Sequence, residues 1–499
     1  MLDLNIIEKF DWKNIGFFRF KKFDDKDYLL TNEVGNYVFL PEADFKKFIS
    51  GKLSKKSAAY KELQENMFFL SNRKYAPVLI SKFSDKYSFL QYGPSLHIIV
   101  VTLRCNHKCI YCHASAVDTG SKEFDMDMAT AKKIVDTIFK TTNKSVAIEF
   151  QGGEPLLNWP VVKFIIQYAK EKNKIEKKDL QLRLVSNFSV MDNEKMKFLM
   201  DNEVNFCTSL DGDEETHNYN RIYLQGNSFQ KTVEWIKKIN EAYKKKYKGK
   251  KRNYYRVGAL ITVSKKTLAN YKKVIDTYIK LGFKSIYLRY LNPYGFALSA
   301  TEKIWYTPQE YINFYKKSLN YILEKNYNGK HFYDFGAVTY LAKILFGHDL
   351  NNLDMRSPCG AVIGQLAYNY NGDVYTCDEG RMLAKMGDQM FRLGNINENT
   401  FEQLINNNLC KSICLASSTH GLPGYNDDVY QPYIGICPVY NYSVYKNIFQ
   451  SSTNNVKYQI DKAIIEYIFE KLKNRKNKDI FTEWVKKSKP LQYLKTYTK

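Results

Sequence analysis

The sequence predicts an α/β protein, a partial (β/α)6 barrel set between a small N-terminal α+β unit and a loop-rich, cysteine-bearing C-terminal unit. Three observations carry that expectation. Between about 95 and 330, short apolar runs alternate with amphipathic stretches, the rhythm of parallel βαβ units. Cys105, Cys109 and Cys112 fall together just after the first of those runs, and five further cysteines crowd into 351–450. Residues 1–92 hold no cysteine and carry a hairpin signal of their own. The expected divisions are therefore 1–92, 93–350, 351–450 and a helical tail over 451–499.

Composition bounds the class. A chain of 499 residues, 44% hydrophobic and 15% aromatic, can bury a sizeable core and is not a disordered chain. Its net charge of +23 suits nucleic acid, an anionic membrane or acidic peptides, or simply a lysine-rich solvated surface. No compact run of basic and aromatic residues resembles a nucleic-acid module. The start, Met1-Leu2-Asp3-Leu4-Asn5, lacks a basic segment followed by an apolar one, and no apolar run reaches the roughly 20 residues of a membrane span. A cytoplasmic protein is expected, whose cysteines serve as metal ligands or buried thiols rather than disulfides.

In order, Tyr28–Thr31 and Tyr37–Leu40 read as strands joined through Gly35, and Pro41 opens a helix that Gly51 stops. Such a unit is either a cap on the next domain or a small winged-helix-like fold of the kind that adds a peptide as an extra strand at a sheet edge. Strands are expected at Leu96–Leu103, Val146–Gln151, Gln181–Ser186, Val204–Leu210, Arg256–Val263 and Ser285–Tyr290. Helices are expected near 129–141, 159–172, 193–202, 228–246 and 268–281, and again over 307–346. Chemistry belongs at the C-terminal ends of such strands.

Cys105-Asn106-His107-Lys108-Cys109-Ile110-Tyr111-Cys112 occupies the first of those ends. A [4Fe–4S] cluster ordinarily takes four thiolates, so a tight group of three leaves one iron open. The competing reading is a zinc site completed by His107 or His113. Cys207 lies inside an apolar strand and reads as a core residue.

The three-thiol motif resembles the signature of the radical S-adenosylmethionine superfamily. The resemblance implies a cluster whose open iron chelates the methionine amino and carboxylate groups, and a 5′-deoxyadenosyl radical that abstracts hydrogen from the substrate. Other stretches are similar to the same family. Gly152-Gly153-Glu154 ends the second strand, where glycines let backbone approach a ligand and a carboxylate accepts from an ammonium. Ser186-Asn187 ends the third strand and Ser209-Leu210-Asp211 the fourth, as in members that contact the cofactor's ribose and carboxylate. Arg221 resembles a carboxylate partner and Tyr111 the aromatic that packs near adenine. The later cysteines are similar to a SPASM domain, with Gly372-x4-Cys377 its recognisable element. A full set has seven or more cysteines and two clusters; five here imply at least one auxiliary [4Fe–4S] cluster, held by Cys359, Cys377, Cys414 and Cys437. Cys410 is then a substitute ligand or a substrate-facing thiol. Asp378 matches the base of anaerobic sulfatase-maturing members.

Across the whole chain the resemblance is to the B component of the His-Xaa-Ser system, a radical peptide maturase. It implies a small ribosomal precursor peptide as substrate, a second radical maturase as partner and an electron donor such as flavodoxin or ferredoxin. Two other functions remain open: a maturase that makes formylglycine, which Asp378 favours, and an iron–sulfur redox sensor that binds nucleic acid.

Overall fold

The computed structural model describes residues 13–70, 75–248, 256–350 and 352–488. Three antiparallel strands, β1 (Phe18–Lys22), β2 (Asp27–Asn32) and β3 (Tyr37–Pro41), make the N-terminal sheet in the order β1-β2-β3. The expected hairpin is β2–β3, and β1 is a strand the periodicity did not reveal. Its sheet packs on the helices Glu42–Ile49 and Ala58–Glu65 through a core of Leu30, Val38, Leu40, Phe45, Phe48 and Leu63. The other face meets the C-terminal helices, with Tyr37 and Phe39 edge-on to Phe469. Thr31 Oγ1 donates to Val429 O at 2.7 Å and Tyr433 Oη to Gly35 O at 2.9 Å.

The following strands are β4 (Leu96–Thr102), β5 (His107–Cys109), β6 (Ser145–Gly152), β7 (Asp179–Ser186), β8 (Asn205–Ser209), β9 (Arg221–Tyr223), β10 (Gly258–Leu260), β11 (Ser285–Ile286) and β12 (Tyr333–Asp334). The C-terminal unit adds β13 (Gln365–Tyr368), β14 (Asp373–Tyr375) and β15 (Arg392–Asn395). Eight of these form one sheet in the order β10-β8-β7-β6-β4-β13-β14-β15. From β10 to β13 every neighbour is parallel; β13 to β15 is an antiparallel meander. Five expected strands thus lie side by side, and helices cover their outer face. β4 is buried along nearly its whole length, as a strand covered on both sides must be.

The helices form where sequence and capping agree. Asp127 accepts from Thr130 N at the start of Met128–Ile138, whose Ala131, Ile134, Val135 and Ile138 make one buried stripe. Trp159–Glu176 begins with Pro160 in its first turn and buries Val162, Ile165, Ile166 and Ala169. Thr307 and Glu310 form a reciprocal cap for Pro308–Tyr327.

The sixth expected strand departs from the pattern. β11 is only two residues long and pairs with β12 outside the eight-stranded sheet. Asp334 explains the break, because its carboxylate accepts from Leu288 N at 3.0 Å where a neighbouring strand's carbonyl would otherwise stand. Among the described residues no helix is long and apolar enough to cross a membrane.

Candidate active site at the strand ends

The loop bearing Cys105, Cys109 and Cys112 is tied down on three sides. Cys105 N donates to Val117 O at 2.9 Å and Ile110 N to Asn220 O at 3.0 Å. Between them β5 pairs antiparallel with β9, setting Cys109 opposite Arg221. Arg104 forks onto the Asp125 carboxylate at 2.8 and 2.6 Å and reaches the carbonyls of Thr119 and Leu157. The three thiols lie near enough for each charge to oppose the next. Burial, with Cys112 adding to it, pushes Cys109 up to about 12. Iron-free, the Cys109 thiol stays protonated at neutral pH, so loading metal there releases a proton.

His107 is no fourth ligand. Its Nδ1 accepts from Asn187 Nδ2 at 3.0 Å, leaving Nε2–H to donate to Ser228 Oγ at 2.9 Å, and the ring stacks on Tyr223 at 4.7 Å. Burial holds it down at about 3, so it is neutral. Among the described residues no three His, Cys, Asp or Glu side chains close around a single metal ion.

Gly152 and Gly153 bring the end of β6 against the cysteine loop. Gly152 has φ +147°, and a Cβ on it would overlap Thr102 O; one on Gly153 would overlap the carbonyl oxygens of Leu103 and Arg104. The contact is sealed by Gly153 N donating to Thr102 O at 2.9 Å and Glu154 N to Arg104 O at 2.7 Å. Glu154 is fully buried. Its carboxylate accepts from Ser186 Oγ at 2.8 Å, Asn187 N at 2.8 Å and Leu156 N at 3.1 Å. Three of about four acceptor directions are therefore used by the chain itself. Glu154 and Ser186 fasten the ends of β6 and β7 to each other.

Burial raises Glu154 from 4.5 to about 7, against those three donors. The folded state then holds this proton more tightly than the unfolded chain does. The iron-free protein is accordingly most stable below pH 4.5 with respect to this group, and loses about 3 kcal/mol as pH rises through 7. Urea titrations across pH 4–8 should show that slope, and Glu154→Gln should flatten it.

Tyr111, Asp211 and Arg221 meet. Tyr111 Oη donates to Asp211 Oδ2 at 2.6 Å and accepts from Arg221 Nη1 at 2.8 Å, while Thr262 N donates to Asp211 Oδ1 at 3.1 Å. Asp211 is completely buried, and burial raises it against the Arg221 charge. Ser209 remains partly exposed at the end of β8.

The later thiols gather elsewhere. Cys359, Cys377 and Cys437 share one buried cluster with Tyr294, Phe391, Ile413 and Tyr440. Cys377 and Cys437 each cap a helix, their sulfurs accepting from Gly380 N at 3.3 Å and Tyr440 N at 3.4 Å. A helix N-terminus favours a thiolate at such a position, but burial still raises Cys377 well above the ordinary thiol range. Cys414 lies on the helix Asn408–Ser417, whose Ser417 Oγ accepts from Cys359 N at 2.9 Å. Cys410 instead packs in the main core and donates to Leu404 O at 3.5 Å. Asp378 begins the helix after Cys377 and accepts from Arg381 Nε at 2.8 Å, so it is ion-paired.

Inside the open barrel lies a cavity of about 1730 Å³. Glu149 and Gln151 of β6, Gln181 and Arg183 of β7 and Cys207 of β8 line it, with Arg289, Asp378 and Glu379. Cys207 is thus a cavity residue, partly exposed, and not the core residue its apolar strand suggested. The other strand residues were also missed. Their signal was polar side chains at alternate positions of strands that should be apolar on both faces.

Three thiols on one loop, glycines that let the adjoining strand end press against it and a second thiol cluster fit an iron–sulfur cofactor with an open iron. The chain carries two matching domains: the Radical SAM superfamily over residues 99–250 and the SPASM iron-sulfur cluster-binding domain over 359–431. It is a radical S-adenosylmethionine enzyme with an auxiliary iron–sulfur domain. Among its relatives is a cysteine-type anaerobic sulfatase-maturating enzyme of Clostridium perfringens. The two are 26% identical over 325 residues, 63% of this chain and 80% of that one. The solved structure of native anSMEcpe with bound AdoMet shares the fold at a TM-score of 0.61 and 23% identity, covering 77% of this chain and all of that one. Streptococcus suis SuiB bound to precursor peptide SuiA matches at a TM-score of 0.51 and 13% identity, over 88% of this chain and 98% of that one.

Proposed function

We propose that this enzyme modifies a ribosomally made precursor peptide by hydrogen abstraction within its barrel cavity. Its cofactor, when bound, supplies one electron to cleave S-adenosylmethionine and so a 5′-deoxyadenosyl radical. Cys105, Cys109 and Cys112 are the ligands in this reading, held in register by β9, Arg104 and the His107–Asn187 contact. The Gly152–Gly153 turn offers backbone carbonyls to the methionine ammonium, and Glu154 keeps that turn in place. Arg221 and Tyr111, bonded to each other beside Cys109, would hold the cofactor's carboxylate and adenine. Cys359, Cys377, Cys414 and Cys437 hold an auxiliary cluster, and Cys410 is not needed.

The observation that carries the peptide reading is the N-terminal three-stranded sheet. Among the described residues β1 and β3 are edge strands, and an edge accepts an extended leader peptide through main-chain hydrogen bonds. A second radical maturase and a flavodoxin- or ferredoxin-type electron donor complete the proposed system.

Formylglycine formation is the second reading, favoured by the sulfatase-maturating relative and by Asp378 facing the cavity beside Glu379. The Arg381 ion pair would have to open before Asp378 could take a proton. Co-expression with short peptides encoded beside this gene, and separately with a cysteine-bearing sulfatase peptide, tests both by mass spectrometry. Modification of the sulfatase peptide alone would overturn the precursor-peptide reading.

A further inference from the structure

The segment after β11 touches both thiol groups. Phe296 N donates to Cys112 O at 3.0 Å. A Cβ on Gly295 would overlap the carbonyl oxygens of Cys112 and His113, so this backbone is pressed directly against the first cysteine loop. One residue earlier, Tyr294 projects the other way. Its ring lies in the same buried cluster as Cys359, Cys377 and Cys437 and is 1% exposed. Its edge meets the His113 ring at 6.5 Å.

The hydroxyl of Tyr294 is fully buried and has no hydrogen-bond partner among the described residues. Leaving such a group unsatisfied is costly, so the site calls for an acceptor. Arg289 and Glu379 are the charged neighbours, but Glu379 is engaged by Arg289 at 3.4 Å. The sulfurs of a cluster bound by Cys359, Cys377 and Cys437 are the acceptors this cluster of residues would bring to the phenol.

We propose that Tyr294 donates a hydrogen bond to a sulfur of the auxiliary cluster and raises its reduction potential. The inference rests on the ligand set proposed above. A donor aimed at a cluster sulfur favours the more negative, reduced state, and hydrogen bonds to sulfur are among the levers that set such potentials. Tyr294 is a positioning residue in this account, because it acts through the cluster. Gly295 and Phe296 set the same short segment against the first cysteine loop by a close backbone approach and a hydrogen bond.

The test uses the full chain with Cys105→Ala, Cys109→Ala and Cys112→Ala, so that only the auxiliary cluster is loaded and spectroscopically visible. Tyr294→Phe in that background should move the auxiliary midpoint potential down, at equal iron and sulfide content. Site-specific 3,5-difluorotyrosine at 294, a stronger donor of nearly the same shape, should move it up. The exchangeable-deuteron coupling seen by ENDOR on the reduced cluster should weaken in Tyr294→Phe. Equal potentials in all three proteins would overturn the proposal and leave Tyr294 as packing. If Tyr294→Phe fails to load, the fluorinated protein still decides by its shift or lack of one. A triple-alanine protein with no iron would overturn the ligand set itself, a failure read from metal content and not from potential.

Discussion

Replacing Cys105, Cys109 and Cys112 with alanine abolishes 5′-deoxyadenosine formation while leaving roughly one cluster's worth of iron in the protein. The first effect follows because the other donor side chains around the loop, those of His107, Glu154 and Asp211, are already engaged. Both nitrogens of His107 are engaged by Asn187 and Ser228, and Glu154 and Asp211 have their carboxylates committed to the chain. The second follows from the separation of the two thiol groups into different buried clusters. Anaerobic reconstitution with iron and sulfide, then dithionite and S-adenosylmethionine, gives both readings from one preparation. Continued 5′-deoxyadenosine production would remove the cluster assignment. Loss of all iron would show that the auxiliary thiols do not ligate on their own.

Gly153→Ala carries the next largest effect. The added methyl meets two backbone oxygens, those of Leu103 and Arg104, and neither belongs to a side chain that could swing aside. The β4 and β6 ends must part, breaking the Glu154 N to Arg104 O bond and displacing Cys105 with them. Overpacking of this kind costs about 3 kcal/mol at the upper end of its usual range. The iron-free variant should unfold at correspondingly lower urea, and the reconstituted one should lose most S-adenosylmethionine affinity by equilibrium dialysis. Gly421→Ala is the control, since its backbone is not left-handed and nothing lies within 4 Å of the added methyl. If Gly153→Ala bound the cofactor like the parent, the turn would not be where the methionine end docks.

Much of the fold was legible because its signals are local. β4, β6, β7 and β8 are apolar runs within one or two residues of their expected bounds, and the helices between them follow their buried stripes. The cysteine loop at the end of β4 was legible for the same reason. What escaped are pairings between segments far apart in the chain. β9 is three residues, Arg221–Tyr223, with no strand signature, yet it holds the loop by pairing with Cys109. β13 joins β4 across 269 positions, from Leu96 to Gln365, and nothing in either segment names the other. The interior of the barrel was hidden by a different cause. Glu149 and Arg183 sit in strands otherwise rich in branched apolar residues, and a strand's two faces are told apart only once its neighbours are known. Asp211 and Glu154 were noticed for their positions, but their roles as internal fasteners needed the hydrogen bonds.

The pairing of β13 with β4 bears on how this chain should be handled. The two iron–sulfur units have no seam between them at which a protease or a cloning boundary could fall harmlessly. A fragment ending near 350 would leave β4 with an open row of amides and carbonyls, flanked by Ile98, Ile99 and Val100, an invitation to self-association. The same row can be closed only after residues 365–368 have been made. During synthesis the barrel waits for its last parallel strand, a slow, long-range closure. Chaperones and metal loading both have that interval in which to act.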